Sequence, residues 1–549
     1  MKICVVILAV ALVVLCAAEE SKSNVQFVDA AQKAGISFVH HSGASGKKYL
    51  PESLGAGCAF IDLDGDGWAD VFLINDRDWT PSGKTYLPGL YHNNHNGTFT
   101  DITKGSGLDV QLYGMGVAVA DYDNDGMPDL YLTALEGDHL FHNEGHGHFR
   151  DVTATSGIHN ADFGTSAAWF DYDRDGKVDL LVANYVQWSP QEDKRCSMDG
   201  KTKSYCTPEA YNGKSLKLYH NLGGGKFEDV TKKAGLADPT SKSLGITVFD
   251  YNGDGWPDVF VANDTQPNKL YRNNKNGTFT EEAVQAGVAY SEDGTARGGM
   301  GTDAADYDHS GRPHLVIGNF ANQMMALYRN NGNGLFVDTA SNGAIGRASL
   351  LSLTFGTFFF DYDLDGYPDI FAANGHLEPD IHKFQPNLQY AQSPLLFRNA
   401  GNHFENATGS VGPDFSRPIV GRGAAYADYD HDGDLDIIIN TNNGPAVLLR
   451  NDGGNKNNWL SIRLVGTKSN RSGLGAVVRV ESASGKQWQM VHSGSSYCSQ
   501  SDLNLTFGLK QDKTVSKLTV EWPSGKVQQL GNVPANRLIT INESSGTVP

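Results

Sequence analysis

The chain has 549 residues, of which 40% are hydrophobic, 63 are glycine and 19% are charged, with a formal net charge of −19. That length can bury a large core, and the glycine content describes a turn-rich β protein rather than a disordered acidic tail. The acidity excludes nucleic acid and anionic membrane as partners, because both reward clustered Lys and Arg.

Met1, Lys2, an apolar run from Ile3 to Leu15, and Cys16-Ala17-Ala18 ahead of Glu19 form the pattern of a secretory signal peptide cleaved after Ala18. The run is short for a membrane span, and no other stretch is long and apolar enough. Cys16 is a weaker candidate for a lipid anchor on an outer surface, since bulky Leu15 stands where a small residue is expected. A secreted, extracellular or periplasmic protein follows. Its remaining cysteines are Cys58, Cys196, Cys206 and Cys498 in an oxidising compartment. Cys196 and Cys206 share one polar insertion and predict a local disulfide, whereas Cys58 and Cys498 are expected to be buried thiols.

A nine-residue loop, Asp-x-Asp-x-Asp-Gly-x-x-Asp, then organises the chain. It first appears as Asp62, Asp64, Asp66 and Asp70, and returns as Asp121, Asp123, Asp125 and Asp129, then as Asp171, Asp173, Asp175 and Asp179. The fourth copy is Asp250, Asn252, Asp254 and Asp258; the sixth is Asp361, Asp363, Asp365 and Asp369; the seventh is Asp428, Asp430, Asp432 and Asp436. The fifth keeps only Asp306 and Asp308, with Ser310 and His314 at the other two positions. Oxygens at positions 1, 3 and 5 with Gly at 6 suit a hard cation of Ca2+ size. An EF-hand would close with Glu at position 12, but here that position is apolar, from Leu73 to Ile439, so the loop joins two strands. Four carboxylates within nine residues repel one another without a cation. About six Ca2+ sites are therefore expected, with Asn252 still coordinating through its amide oxygen. Loop five is expected to be weak or empty, because a hydroxyl and an imidazole are poor ligands for hard Ca2+.

Each loop sits between an alternating strand such as Gly114 to Ala120 and an apolar strand such as Val71 to Ile74. A hairpin signature follows: Leu90-Tyr-His-Asn93, an Asn96-Gly97 pair predicting a type I′ turn, and a strand from Phe99. Four strands per repeat and periods of 50 to 79 residues suggest propeller blades. The Phe-led strand is missing after Leu448-Leu-Arg-Asn451, and its counterpart opens the mature chain at Phe27. Pairing the two would close a seven-bladed ring and remove its open edges. Insertions at Asp76 to Gly89, Tyr185 to Lys217 and Gly375 to Pro394 decorate one face. The last carries His376, Glu378, Asp380 and His382, read as a solvated loop because their spacing matches no metal motif.

After Asn457 the loops stop, and six period-two strands between Trp459 and Ile541 predict a small antiparallel β-sandwich-like domain. The expected organisation is signal peptide 1–18, propeller 24–456, β domain 457–543 and a tail 544–549, all-β throughout.

The repeats resemble the FG-GAP/VCBS family, whose propeller repeats also occur in integrin α chains. Ser469-Asn-Arg-Ser-Gly-Leu-Gly475, Gly494-Ser-Ser-Tyr-Cys-Ser-Gln-Ser-Asp502 and Trp522-Pro-Ser-Gly525 resemble signatures of the ASPIC/UnbV domain. Together they resemble the cartilage acidic protein family. That resemblance implies a secreted, calcium-binding propeller with adhesion or matrix binding as its role. Animal members end in a calcium-binding EGF-like module, and no cysteine follows Cys498 here, so a bacterial exported homologue is expected.

Two functions compete. One is a calcium-stabilised scaffold that recognises extracellular protein or glycan; the other is a calcium-dependent polysaccharide lyase or hydrolase. Ser166 and Ser495 lack a Gly-x-Ser-x-Gly context, and there is no His-Glu-x-x-His or phosphate loop, so no catalytic residue is assigned. His92, His142 and His220 recur at one hairpin position and read as structural polar contacts.

Overall fold

The computed structural model describes residues 25–80 and 82–548; the expected leader, residues 1–18, lies outside them. Six blades are four-stranded antiparallel sheets built from consecutive strands, as in Cys58–Ile61, Asp70–Leu73, Gly89–Asn93 and Phe99–Asp101 of blade one. The seventh takes Gly421–Ala427, Asp436–Thr441 and Val447–Asp452 and is completed by the N-terminal strand Gln26–Asp29, with Phe27 opposite Asn451. The ring is closed in this way, and Cys58–Ile61 touches Gly421–Ala427 across the joint.

Two local expectations change. Asn96-Gly97 is not a two-residue type I′ turn: residues 94–98 form the loop, Asn94 N–H donates to the Thr98 carbonyl at 2.9 Å, and the positive φ values fall at His95 and Gly97. The Asn93 carboxamide oxygen accepts the His95 N–H at 3.0 Å, which starts the turn early. The C-terminal domain has eight strands, not six, in two four-stranded sheets. Val527–Pro534 escapes the period-two reading because it is an edge strand, mostly polar and solvent-facing. Nor is the domain wholly antiparallel, because Asn458–Val465 runs parallel to Arg537–Asn542.

The C-terminal domain is not a separate body. It sits on the face that carries the Asp loops. Arg463 pairs with Asp62 at 2.8 Å, Asn124 accepts the Arg471 N–H at 2.6 Å, Trp488 donates to Asp306 at 2.7 Å and Asn457 donates to the Asp363 carbonyl at 2.8 Å. Between its strands Gly485–Met490 and Leu505–Lys510, residues 493–502 descend into the tunnel of the ring. Ser496 pairs with Thr302 of blade five, Gln500 with Ala59 of blade one, and the Cys498 N–H meets Ser166 of blade three at 3.0 Å. Tyr497 reaches the far end, where its hydroxyl donates to the Leu54 carbonyl.

Room for this plug comes from one tunnel-facing position, five residues before each loop, which reads Gly57, Gly116, Ser166, Gly245, Gly301, Gly356 and Gly423. A Cβ at Gly57 would stand 2.1 Å from the Cys498 carbonyl oxygen, and one at Gly423 would stand 2.4 Å from Ser499 Oγ. Gly57→Ala should therefore destabilise the protein by about 3 kcal/mol in urea unfolding. Gly409→Ala, where a Cβ meets nothing within 4 Å, should change little. Equal midpoints for the two variants would show that the plug tolerates displacement.

Candidate metal loops and the insertion face

Each loop is a turn folded on its own carboxylates. The first Asp accepts the N–H of the glycine at position 6, at 2.7 to 3.1 Å, in all seven copies. Asp66, Asp125, Asp175, Asp254 and Asp365 at position 5 accept the N–H two residues on. This brings the carboxylates of positions 1, 3 and 5 together, so that one oxygen each of Asp62, Asp64 and Asp66, or of Asp121, Asp123 and Asp125, lies within 4.8 Å of the others.

The carboxylate at position 9 has another duty. Asp70, Asp129, Asp179, Asp258, Asp369 and Asp436 open the second strand and are buried. One oxygen of each accepts a loop N–H, and the other accepts the N–H of an asparagine on the third strand, as in Asp129 with Tyr122 at 3.2 Å and Asn143 at 2.8 Å. In loop five His314 Nδ1 takes the equivalent Asn330 N–H at 2.9 Å. His92, His142 and His220 stand 3.0 to 3.1 Å from the same carboxylates.

The fit to a cation rests on oxygens that have nothing else to bind. Asp62 Oδ1, Asp173 Oδ1, Asp363 Oδ1, Asp428 Oδ1 and Asp430 Oδ1 are buried and accept no hydrogen bond. Such groups cost free energy unless a donor or cation meets them. Sequence reasoning missed a further carboxylate, Asp434 at position 7 of loop seven, whose Oδ1 is equally orphaned and whose carboxyl burial pushes up to about 9. The spacing Asp428-x-Asp430-x-Asp432-x-Asp434-x-Asp436 was the available signal.

The loops differ in how far the protein neutralises them. Arg398 pairs with Asp363 and Asp365 in loop six, Arg463 with Asp62 in loop one and Lys275 with Asp254 in loop four. Loop five is satisfied from within, since Asp306 accepts Trp488 Nε1–H and the Gly311 N–H, and Asp308 pairs with His314 at 2.8 Å. Asn252 of loop four accepts only the Asp254 N–H and keeps acceptor capacity.

The opposite face carries the insertions, because consecutive antiparallel strands turn alternately at the two ends of a blade. Cys196 and Cys206 are joined there as a disulfide, while Cys58 and Cys498 are free and buried. The reading of His376 to His382 as a solvated loop is corrected for two of its residues. His376 and Glu378 are 2% and 3% exposed, and burial beside the Arg422 guanidinium lowers the His376 imidazole to about 4. His382 remains exposed. Ser166 and Ser495 lie buried in the plugged tunnel rather than in an open cleft.

Burial, reinforced by neighbouring carboxylates, pushes Asp70, Asp121 and Asp171 up to about 7 and Asp129, Asp179, Asp365 and Asp430 up to about 6. These groups bind protons more tightly folded than unfolded. Their contribution to metal-free stability is full below about pH 4 and is lost as pH rises through 6 to 7. Chelated protein should accordingly melt higher at pH 5 than at pH 7.5. A bound divalent cation requires the charged form, so the gap between loaded and chelated melts should widen with pH. A gap independent of pH would remove the loop carboxylates as ligands.

Comparison with known proteins follows the same division of the chain. The FG-GAP-like repeat profile matches residues 62–132, 130–182, 199–261, 250–317 and 306–372, and the ASPIC and UnbV profile matches residues 466–548. Cartilage acidic protein 1 of Mus musculus is 27% identical over 310 residues, 55% of this chain and 45% of its own; the Homo sapiens protein is 26% identical over 55% and 44%. The match thus spans less than half the length of these relatives. A solved Agrocybe aegerita lectin that recognises non-reducing terminal N-acetylglucosamine overlays with TM-score 0.38 and 15% identity, over 71% of this chain and 87% of its own. With more than half of its residues matched by the repeat profile, the chain belongs to the FG-GAP-like repeat family and carries an ASPIC and UnbV domain behind the repeats.

Proposed function

We propose that the protein is a secreted scaffold whose Asp loops are filled by structural Ca2+ and whose insertion face recognises an extracellular protein or glycan. The observation that carries the metal half is the set of buried loop oxygens without a donor, five of them at ligand positions 1 and 3. Clusters of three or four carboxylates in short, turn-fixed loops favour a hard cation of Ca2+ size over the softer transition metals, even with one imidazole beside loops one to three. Positions 1, 3, 5 and 9 supply the side-chain oxygens, and position 9 also anchors the loop to its blade. Export is supported by the leader-like residues 1–18 and by the Cys196–Cys206 disulfide, which persists in oxidising compartments. Among the described residues no helix is long and apolar enough to cross a membrane.

The binding half rests on the division of the surface. The C-terminal domain covers the loop face and its plug fills the tunnel, which leaves the insertion face as the elaborated free surface. Loops on a rigid scaffold are where propellers and similar folds place recognition.

Calcium counting tests the reading. The mature protein should bind about six ions and lose a large part of its thermal stability on chelation. Ser310→Asp combined with His314→Asp should add one more ion, because an aspartate at position 9 already takes the Asn N–H in the other six blades. Near-zero occupancy with an unchanged melt would sink the metal half. A glycan and matrix-protein array probed in calcium and again after chelation, with assays for released products alongside, tests the binding half; turnover without retention would replace it with an enzyme.

A further inference from the structure

Four segments outside the blades meet on the insertion face: residues 40–54, 76–89, 185–216 and 375–394. Buried carboxylates tie them together. Glu52, 1% exposed, accepts Trp79 Nε1–H at 3.0 Å and the Tyr205 hydroxyl at 3.1 Å. Glu378 accepts the Tyr205 N–H at 3.3 Å and pairs with the Lys48 ammonium. Asp193 accepts Trp188 Nε1–H at 2.9 Å and the Tyr211 hydroxyl at 3.2 Å. Tyr49 stands edge-on to Trp79 and Trp188, with ring centroids 5.2 and 5.5 Å away. Aromatic rings from two segments are thereby fixed on acids, Tyr49 of a third packs against them, and Tyr49, Trp79 and Tyr205 remain partly open to solvent.

The rim of this cluster inverts the charge of the molecule. Residues 194–203 carry Lys194, Arg195, Lys201 and Lys203 against Asp199, with Lys203 paired to the preceding Asp193, in a chain of net charge −19. The Asp199 carboxylate is engaged by the Lys201 and Thr202 N–H groups and the Ser197 hydroxyl. Lys47 joins the patch, since its ammonium and that of Lys203 each lie 5.4 Å from the Tyr49 ring. Lys47, Lys194, Arg195 and Lys201 are exposed, and no carboxylate pairs with them among the described residues. The Cys196–Cys206 disulfide closes the segment that bears most of these charges, which lowers the ordering cost of binding.

We propose that this face binds an anionic polysaccharide, a reading that rests on the scaffold function above and names its ligand class. Sugar rings would pack on Tyr49, Trp79 and Tyr205, and carboxylate or sulfate groups would pair with Lys47, Lys194, Arg195 and Lys201. The fixed ring faces favour a carbohydrate over an acidic polypeptide, which has no flat apolar face to offer them. The Asp-rich propeller surface repels a polyanion, but residues 457–549 also carry ten Lys and Arg against five Asp and Glu, so it is the variants of this patch that assign the binding to it.

The test uses the whole mature protein in calcium, passed over immobilised heparin for sulfate, polygalacturonate for carboxylate, neutral dextran, and polyglutamate. Retention is expected on heparin, polygalacturonate or both, eluted by salt, and not on dextran or polyglutamate. Lys47→Gln with Lys194→Gln and Lys201→Gln should weaken it about tenfold while the melting temperature stays put. The same changes at exposed Lys33, Lys104 and Lys233 should leave retention intact. Equal retention of the two triple variants, or stronger retention on polyglutamate, overturns the proposal. A protein that ignores both polysaccharides but binds other members of the array keeps the scaffold reading and loses this one; a protein that binds nothing loses both.

Discussion

One relay holds the ring together. The buried carboxylate at position 9 accepts the N–H of an asparagine on the third strand of its blade, and that asparagine's carboxamide donates to the second residue of the preceding blade's loop. The donation occurs seven times, from Asn93 to Tyr429, Asn143 to Leu63, Asn221 to Tyr122, Asn273 to Tyr172, Asn330 to Tyr251, Asn399 to Tyr307 and Asn451 to Tyr362, at 2.8 or 2.9 Å. Each link is worth about 1 kcal/mol net, and more is lost when one is cut, because it strands a buried carbonyl. The first of these, Asn93 to Tyr429, spans the seam between blades one and seven, so ring closure and loop geometry are one constraint.

That constraint explains the electrostatics. Holding the loops by buried backbone and side-chain hydrogen bonds places their carboxylates where water is scarce, which raises their proton affinity and leaves oxygens without donors. The protein meets the charge in different ways around the ring: a guanidinium paired with loop six, an indole and an imidazole in loop five, and in loop seven the Arg450 guanidinium near Asp430 but itself paired with Asp452, while Asp434 adds a further acid. In loop five, donors from the protein itself, Trp488, the Gly311 N–H and His314, meet the two remaining carboxylates.

The plug joins what would otherwise be two modules. At the position that faces the tunnel six blades have glycine and the third has Ser166, so little side-chain volume fills the tunnel there, and an empty channel would forfeit packing along the inner strands. Residues 493–502 supply that packing, and Tyr497 and Cys498 become part of the same apolar cluster as Leu50, Leu54, Met115 and Phe355. The C-terminal domain is thereby committed to the loop face, and the insertion face is left uncovered by it.

The sequence by itself determined the repeat number, the strand-loop-strand grammar, the closing of the ring through Phe27 and the position of the carboxylates. All of these follow from residue spacing within a chain segment or from a count of repeated elements. It misjudged the Asn96-Gly97 turn because Asn93, an apparent hairpin residue, is committed to the neighbouring blade. It took the glycines before each loop for ordinary strand residues, and it gave no sign that the position-9 aspartates also hold the third-strand asparagines. Only the tertiary structure decided that the C-terminal domain fills the tunnel, that loop five is sealed by Trp488, and that four insertions meet around Glu52 and Glu378. The physical reason is separation: these contacts join residues more than 150 positions apart, such as Trp488 with Asp306 and Tyr205 with Glu52, and no local periodicity records them.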